Sequence, residues 1–465
     1  MYPDTVLDKC TAAWKLVSSL RDIIAGGRTD RTYPRWSDHF LCFCERTADT
    51  TLDYLKKQLT SDGDEIVGTD ELLWRLSAII QGWELLHTFI KPVLDADNLK
   101  VPYPLVHFLT EHVGQLQAVN KAKLVIEISP ELNYFQHQHS DLRRAIIFLQ
   151  AAIGAQPTDE TLGFLALPCS QSKGLFMNCL LYHEVGHFMA EETGLLSPAE
   201  RASLRNELEN AFRQHLSTES DRPFQQYLDW AVSTTEKWIE ELFADLVAVN
   251  LLGLAYTLSY MELLRLVTEL SEGEMIRFSI DHPADALRFR EQLKVLVKDN
   301  WREHVMDLPH WGQLVEITAT SDDKYSVPSE YEDDPDMSEV WLMLIQNLCK
   351  PERIAGIHRK VDDLLADRQK PSELYSKYAK GIKECLAHAI VPSNEQSGST
   401  PHPISIINGG TLFLLCEMAE LYRTVPSRLT ERLGDRAFLE SRIELWCLKA
   451  IDDWLITTSS QKKRT

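Results

Sequence analysis

His183-Glu184-Val185-Gly186-His187 sits inside an apolar run from Leu180 to Ala190, and that setting constrains the segment to an α-helix. Residues four apart share one face of a helix, about one turn from each other. Both imidazoles can therefore point at a single metal ion. The glutamate between them can reach a water beside that ion and act as general base.

A second segment, Trp238-Ile239-Glu240-Glu241-Leu242-Phe243-Ala244-Asp245, supplies what such a site lacks. Catalytic zinc takes three protein ligands and keeps one position for water. His183, His187 and Glu241 complete that set. Glu240 is the rival ligand, but the residue four beyond it is Ala244, whereas Glu241 is followed at that spacing by Asp245. A metal-bound histidine gives its other ring N–H to a carboxylate, and Asp245 is spaced to take it from His183. Ser233-Thr234-Thr235-Glu236 reads as a capping box that opens this helix. Trp238, Leu242, Phe243, Leu246, Val247, Val249, Leu251 and Leu252 make it apolar on nearly all sides, so it is expected to be buried. Two buried carboxylates need a partner, and a metal–histidine centre is one.

HExxH followed by ExxAD on a later helix resembles the gluzincin zinc metallopeptidases. Within that group the pattern resembles the lineage of the prenyl-protein endopeptidases and the heat-shock membrane proteases. Asp281-His282-Pro283-Ala284-Asp285-Ala286-Leu287-Arg288 adds a His-Pro and a following Arg, which that lineage often carries downstream of its Glu ligand. The resemblance covers residues 160 to 290. It implies a zincin-like catalytic core holding one Zn²⁺ per chain, with a small antiparallel sheet beside the HExxH helix. The edge strand of such a sheet pairs with extended substrate, and Gly163 to Leu167 is the candidate edge. The chain departs from this pattern in two ways. The named relatives are membrane proteins, and the gap between His187 and Glu241 is longer than in the compact thermolysin-like members. The extra residues read as an inserted helix, opened by the capping box Ser197-Pro198-Ala199-Glu200 and running to about His215.

Composition narrows the class. Of 465 residues 44% are hydrophobic and 25% charged, ordinary values for a soluble globular chain. A net charge of −21 argues against nucleic-acid and anionic-membrane partners, which need basic patches. The nine cysteines are odd in number and lack a CxxC, which points to a reducing, cytoplasmic setting. The N-terminus has neither the basic nor the apolar region of a secretory signal. The longest uncharged run, Leu246 to Met261, is shorter than the roughly 20 residues of a membrane span and reads as a buried core helix.

The fold class expected is α+β and predominantly helical, in three regions. Residues 1–115 form a helical N-terminal region, with a clear helical period from Asp70 to Ile90. Residues 116–295 form the zincin-like core. They include two β-prone runs, Leu124–Ser129 and Leu162–Leu167, separated by Tyr134–His139, which reads as a polar loop. Residues 296–465 form a helical C-terminal region with an acidic loop at 319–337 and a linker at 392–403.

The resemblance implies a soluble zinc endopeptidase acting on a protein or peptide substrate. Zinc on His183, His187 and Glu241 activates water, Glu184 moves its proton to the leaving amine, and His282 and Arg288 are candidate donors to the oxyanion. His282 also reads as a turn residue before Pro283, and Arg288 as the partner of a structural carboxylate. The helical flanks suggest a regulatory protein partner. Two alternatives stand beside this. An aminopeptidase would need acidic residues to anchor an α-amine, and no GxMEN-like segment provides them. A non-catalytic scaffold with a degenerate site would have no need of Glu184.

Overall fold

Where apolar residues recur at intervals of three and four, the chain is helical, and helices account for most of the molecule. The computed structural model describes residues 2–60, 69–116, 122–129, 135–137, 139–155, 161–169, 174–215, 221–267, 272–305, 324–393, 400–417 and 436–462. Two compact units divide the chain, Met1–Lys173 and Gly174–Thr465. The boundary falls inside the 116–295 segment delimited from sequence.

The first unit contains α1 (Tyr2–Asp30), α2 (Arg35–Thr60), α3 (Thr69–Asp95), α4 (Tyr103–Gly114), β1 (Ala122–Ser129), β2 (Phe135–His137), α5 (His139–Ile153) and β3 (Thr161–Pro168). Phe164 of β3 sits at its core, edge-on to Phe40 of α2 at 5.0 Å and against Phe89 of α3 at 5.3 Å. The strand order is β1-β3-β2. β1 and β3 run parallel, with Val125 opposite Phe164, and the three residues of β2 pair antiparallel to β3, with Gln136 opposite Leu165.

Two expectations about the sheet are thereby corrected. The small sheet is not antiparallel: its long pair is parallel, because α5 lies between the two strands in sequence and provides the crossover that parallel pairing requires. Nor is Gly163–Leu167 an edge. β3 is the central strand, hydrogen-bonded to a neighbour on each side across Phe164–Ala166, so it offers no row of open backbone groups there for a substrate strand. The stretch expected as a polar loop contributes Phe135–His137 to β2; the side chains of His137 and His139 lie outside the described residues.

The second unit begins with a 3₁₀ turn at Met177–Leu180 that feeds α6 (Leu181–Thr193). There follow α7 (Pro198–His215), α8 (Asp221–Leu252), α9 (Leu254–Val267), α10 (Glu272–Met275), α11 (Asp285–Lys298), α12 (Arg302–Val305), α13 (Pro335–Leu348), α14 (Pro351–Leu364), α15 (Pro371–Ala387), α16 (Pro403–Leu412) and α17 (Arg436–Lys462). α8 is the axis: α6, α7, α9, α11, α13, α14 and α15 all pack on it. That encirclement is why its sequence is apolar on nearly every side. α13 to α16 each open on a proline, whose missing N–H costs nothing in a first turn.

The capping box at Ser197–Glu200 forms, with Glu200 accepting from the Ser197 backbone N–H at 2.8 Å, and α7 ends at His215 as its sequence indicates. Ser233–Glu236 does not cap α8. The helix begins at Asp221, and the buried Thr235 hydroxyl donates instead to the carbonyl of Ala231 at 2.9 Å. The run Leu246–Met261 is two helices rather than one. Gly253, at φ +80°, breaks it, and a Cβ there would lie 2.7 Å from Trp301 and 2.9 Å from Pro371. Buried Asn408 holds the break: its Oδ1 accepts from Ala255 N at 2.9 Å and its Nδ2 donates to Leu252 O at 2.7 Å. Of the acidic loop expected at 319–337, residues 319–323 lie outside the described residues. In the remainder, Asp334 caps α13 by accepting from the N–H groups of Asp336 and Met337. In the linker expected at 392–403, residues 394–399 likewise lie outside the described residues, and Pro403 already opens α16.

Candidate metal centre

Helix α6 forms because Leu181, Tyr182, Val185, Phe188, Met189 and Ala190 bury most of its surface. It stops at Gly194, which takes the left-handed conformation (φ +63°) that ends a helix cleanly. It meets α8 at a point where neither helix carries bulk. A Cβ on Gly186 would lie 2.5 Å from Ala244 Cα and 2.8 Å from its carbonyl oxygen. The glycine of HExGH and the alanine of ExxAD are therefore what bring the two backbones together. His183, about one turn before this contact, and His187, the residue after it, meet the carboxylates of α8.

His183, His187 and Glu241 converge, each offering one ligand atom, and those atoms lie within 4.8 Å of one another. The two Nε2 atoms are 3.0 Å apart. Glu241 Oε2 is 3.3 Å from His183 Nε2, and Oε1 is 3.3 Å from His187 Nε2. A zinc ion with bonds of about 2.0–2.1 Å in tetrahedral geometry separates its ligands by about 3.3 Å. Glu241 Oε2 is buried and makes no hydrogen bond, with His183 Nε2 and Arg288 Nη2 each 3.3 Å away. Two imidazole nitrogens and a buried carboxylate oxygen at these separations could hold a metal ion.

Each histidine has its other nitrogen covered by a different carboxylate. His183 Nδ1 lies 2.9 Å from Asp245 Oδ1, and His187 Nδ1 lies 2.9 Å from Glu240 Oε1. Such contacts fix the tautomer that turns Nε2 toward the metal. Glu240, the rival ligand in the sequence, thus stands behind the second histidine, on the side away from Glu241. Asp245, 1% exposed, is itself held by the buried Arg288, whose Nε and Nη2 donate to its two oxygens at 2.7 and 2.9 Å. Arg288 Nη2 also lies 3.3 Å from Glu241 Oε2.

The electrostatics follow from this layout. Burial works to raise the pKa of Glu241, but the two histidines and Arg288 outweigh it and hold the carboxyl well below its usual range. Burial likewise works against charge on His183 and His187, and their carboxylate partners outweigh it and raise both. Glu240, Glu241 and Asp245 pair with the two histidines, while Arg288 meets Asp245 and Glu241, so carboxylates outnumber the guanidinium and the pocket attracts positive charge, as protons or as a dication. Glu184 is buried on α6 among the same groups, and that burial raises its pKa while His183 and His187 work to lower it.

His282 and Arg288 arrive from the 279–288 segment. The turn before Pro283 forms, with His282 N donating to Ser279 Oγ at 2.9 Å and Ser279 N to His282 O at 3.0 Å. Trp238 Nε1 donates to Ser279 O at 2.9 Å and fastens this turn to α8. The half-exposed His282 ring comes beside the cluster of candidate ligands, its Nε2 3.9 Å from Glu241 Oε1, and its removal from water lowers its pKa. Arg288 is spent on the carboxylates.

Tyr256 and Tyr260 of α9 join the site without a sequence signal. The Tyr256 hydroxyl donates to Asp245 Oδ1 and lies 3.3 Å from His183 Nδ1. Tyr260 donates to Asp285, and the Arg288 guanidinium lies over its ring at 4.5 Å. Both fall within a run that reads as plain core, and no short motif marks them. Among the described residues no helix is long and apolar enough to cross a membrane. Comparisons with protein-family models, curated proteins and solved structures find no match to this chain.

Proposed function

We propose that this protein is a soluble, cytoplasmic zinc endopeptidase of gluzincin type, cutting peptide bonds in protein substrates. The observation that carries the proposal is the convergence of His183 Nε2, His187 Nε2 and the orphaned Glu241 Oε2, with Glu184 buried beside them. A purely structural metal site needs no such base.

Bound zinc would polarise the scissile carbonyl and lower the pKa of a water toward about 7. Glu184 takes the proton of the attacking water and passes it to the leaving amine nitrogen. Burial makes Glu184 more basic than an exposed glutamate, which suits it to that task. His282, half exposed at the rim, donates to the oxyanion. Arg288, buried and engaged with Asp245 and Glu241, orients the ligands rather than the substrate. The helical regions on either side of the core are read as surfaces for a regulatory partner.

The test is zinc-dependent cleavage of an unfolded protein substrate such as reduced, alkylated casein. Internal cleavage that is lost with chelator and restored with zinc supports the proposal. Release of N-terminal residues alone would make the protein an aminopeptidase, and no cleavage at full zinc loading would leave a metal-binding scaffold.

A further inference from the structure

We infer that Tyr256 is a positioning residue of the metal centre: it acts through Asp245 to hold the His183 imidazole in its ligating orientation. This rests on the reading of His183, His187 and Glu241 as a zinc site.

Tyr256 is fully buried on α9, and its hydroxyl donates to Asp245 Oδ1. The same oxygen faces His183 Nδ1 at 2.9 Å and Arg288 Nη2 at 2.9 Å, while Oδ2 takes Arg288 Nε at 2.7 Å. Three donors crowd Oδ1, and the Arg288 fork spans both oxygens, so the carboxylate cannot turn without giving up a charged pair. With the carboxylate fixed, the His183 ring it faces is held as well. The phenol ring adds a second constraint, lying nearly parallel to the His183 ring, at 5°.

The rest of α9 is built to keep this hydroxyl in place. The Ser259 hydroxyl lies 2.7 Å from Phe176 O, just before α6, and 2.7 Å from Ala255 O of its own helix, so its one proton is shared between them. Tyr260 donates to Asp285 at the start of α11. Three polar side chains of one helix thus reach three different segments: the lead into α6, α8 and α11. At the head of α9, Gly253 and Asn408 set where the helix begins. A helix that only filled the core would need none of these bonds, and each buried hydroxyl would cost stability if left unpaired.

The experiment compares wild type with Tyr256→Phe for zinc affinity, by competition with a chromogenic chelator, and for the melting temperature of the metal-free protein. We expect zinc binding weakened about 3- to 10-fold, below the roughly 10- to 100-fold typical of losing the carboxylate itself. The melting temperature should stay within a few degrees, since Asp245 retains three donors. A wild type that binds zinc beside a variant that binds it equally well overturns the inference alone. A wild type that binds no zinc overturns the underlying reading as well. Should Tyr256→Phe fail to fold, NMR of the wild type decides. A slowly exchanging, far-downfield Tyr256 hydroxyl proton is expected, and one exchanging as fast as that of an exposed tyrosine overturns the inference.

Discussion

Arg288 and Asp245 form a two-pronged pair, Nε to Oδ2 at 2.7 Å and Nη2 to Oδ1 at 2.9 Å, with both side chains almost wholly buried. The pair joins α11 to α8 directly behind His183. Removing one member leaves the other charge in a dry environment, which is far costlier than losing an exposed ion pair. Asp245→Ala should therefore have two effects. Zinc affinity, by chelator competition, should fall roughly 10- to 100-fold. Stability to denaturant should fall by about 3–5 kcal/mol. Unchanged zinc affinity would remove Asp245 from the metal centre.

Gly186→Ala tests the α6–α8 crossing. In an open helix this change stabilises by about 1 kcal/mol. Here the new methyl would meet Ala244 Cα at 2.5 Å, a backbone atom that cannot swing aside. Overpacking of this kind costs about 1–3 kcal/mol or more, so the clash outweighs the helix gain. We expect net destabilisation by urea unfolding, together with weaker zinc binding as the helices part. Ala244→Gly should rescue it only partly, because the nearest atom is Cα and not Cβ.

Glu184→Gln keeps the size of the side chain and removes its basicity. Zinc content should remain at the wild-type level while peptide hydrolysis falls by at least about 100-fold, the low end for general-base catalysis. Full activity in this variant would contradict the assignment of Glu184.

Glu291 gives a pH dependence outside the candidate metal site. It is 1% exposed on α11, with Lys294 at 2.8 Å, His358 at 2.9 Å and Arg290 at 3.1 Å. Burial works against its charge, but His358 and Lys294 outweigh it and hold its pKa at about 2, against the usual 4.5. A carboxyl depressed on folding adds stability that is present above about 4.5 and is lost as pH falls toward about 2. The stability difference between wild type and Glu291→Gln, measured by urea unfolding, should be at most about 3 kcal/mol near neutrality and shrink through that window. A difference independent of pH would contradict it.

The ligands were legible because helical spacing is local: His183 and His187 four apart, Glu241 and Asp245 four apart. What was not legible depends on which elements meet. Nothing near Gly186 in sequence shows that Ala244 is its neighbour. Tyr256 lies in a run whose polar residues read as incidental, and its role appears only once Gly253 turns α9 back toward Asp245. Glu240 did carry a signal: the second histidine also needs a carboxylate behind it, and Glu240 is the one facing its Nδ1. The direction of the β1–β3 pair was readable too, since the helical stretch between those strands provides a crossover that two-residue hairpins do not need. For α8, a capping motif at Ser233–Glu236 was overridden because Phe224, Leu228 and Ala231 are buried and extend the helix upstream.

The most direct measurement is bound metal per chain, by elemental analysis of wild type beside Glu241→Ala, both loaded with zinc under reducing conditions. About one zinc is expected in wild type and a strong reduction in the variant. A wild type that takes up no metal, or a variant that holds as much as wild type, would contradict it.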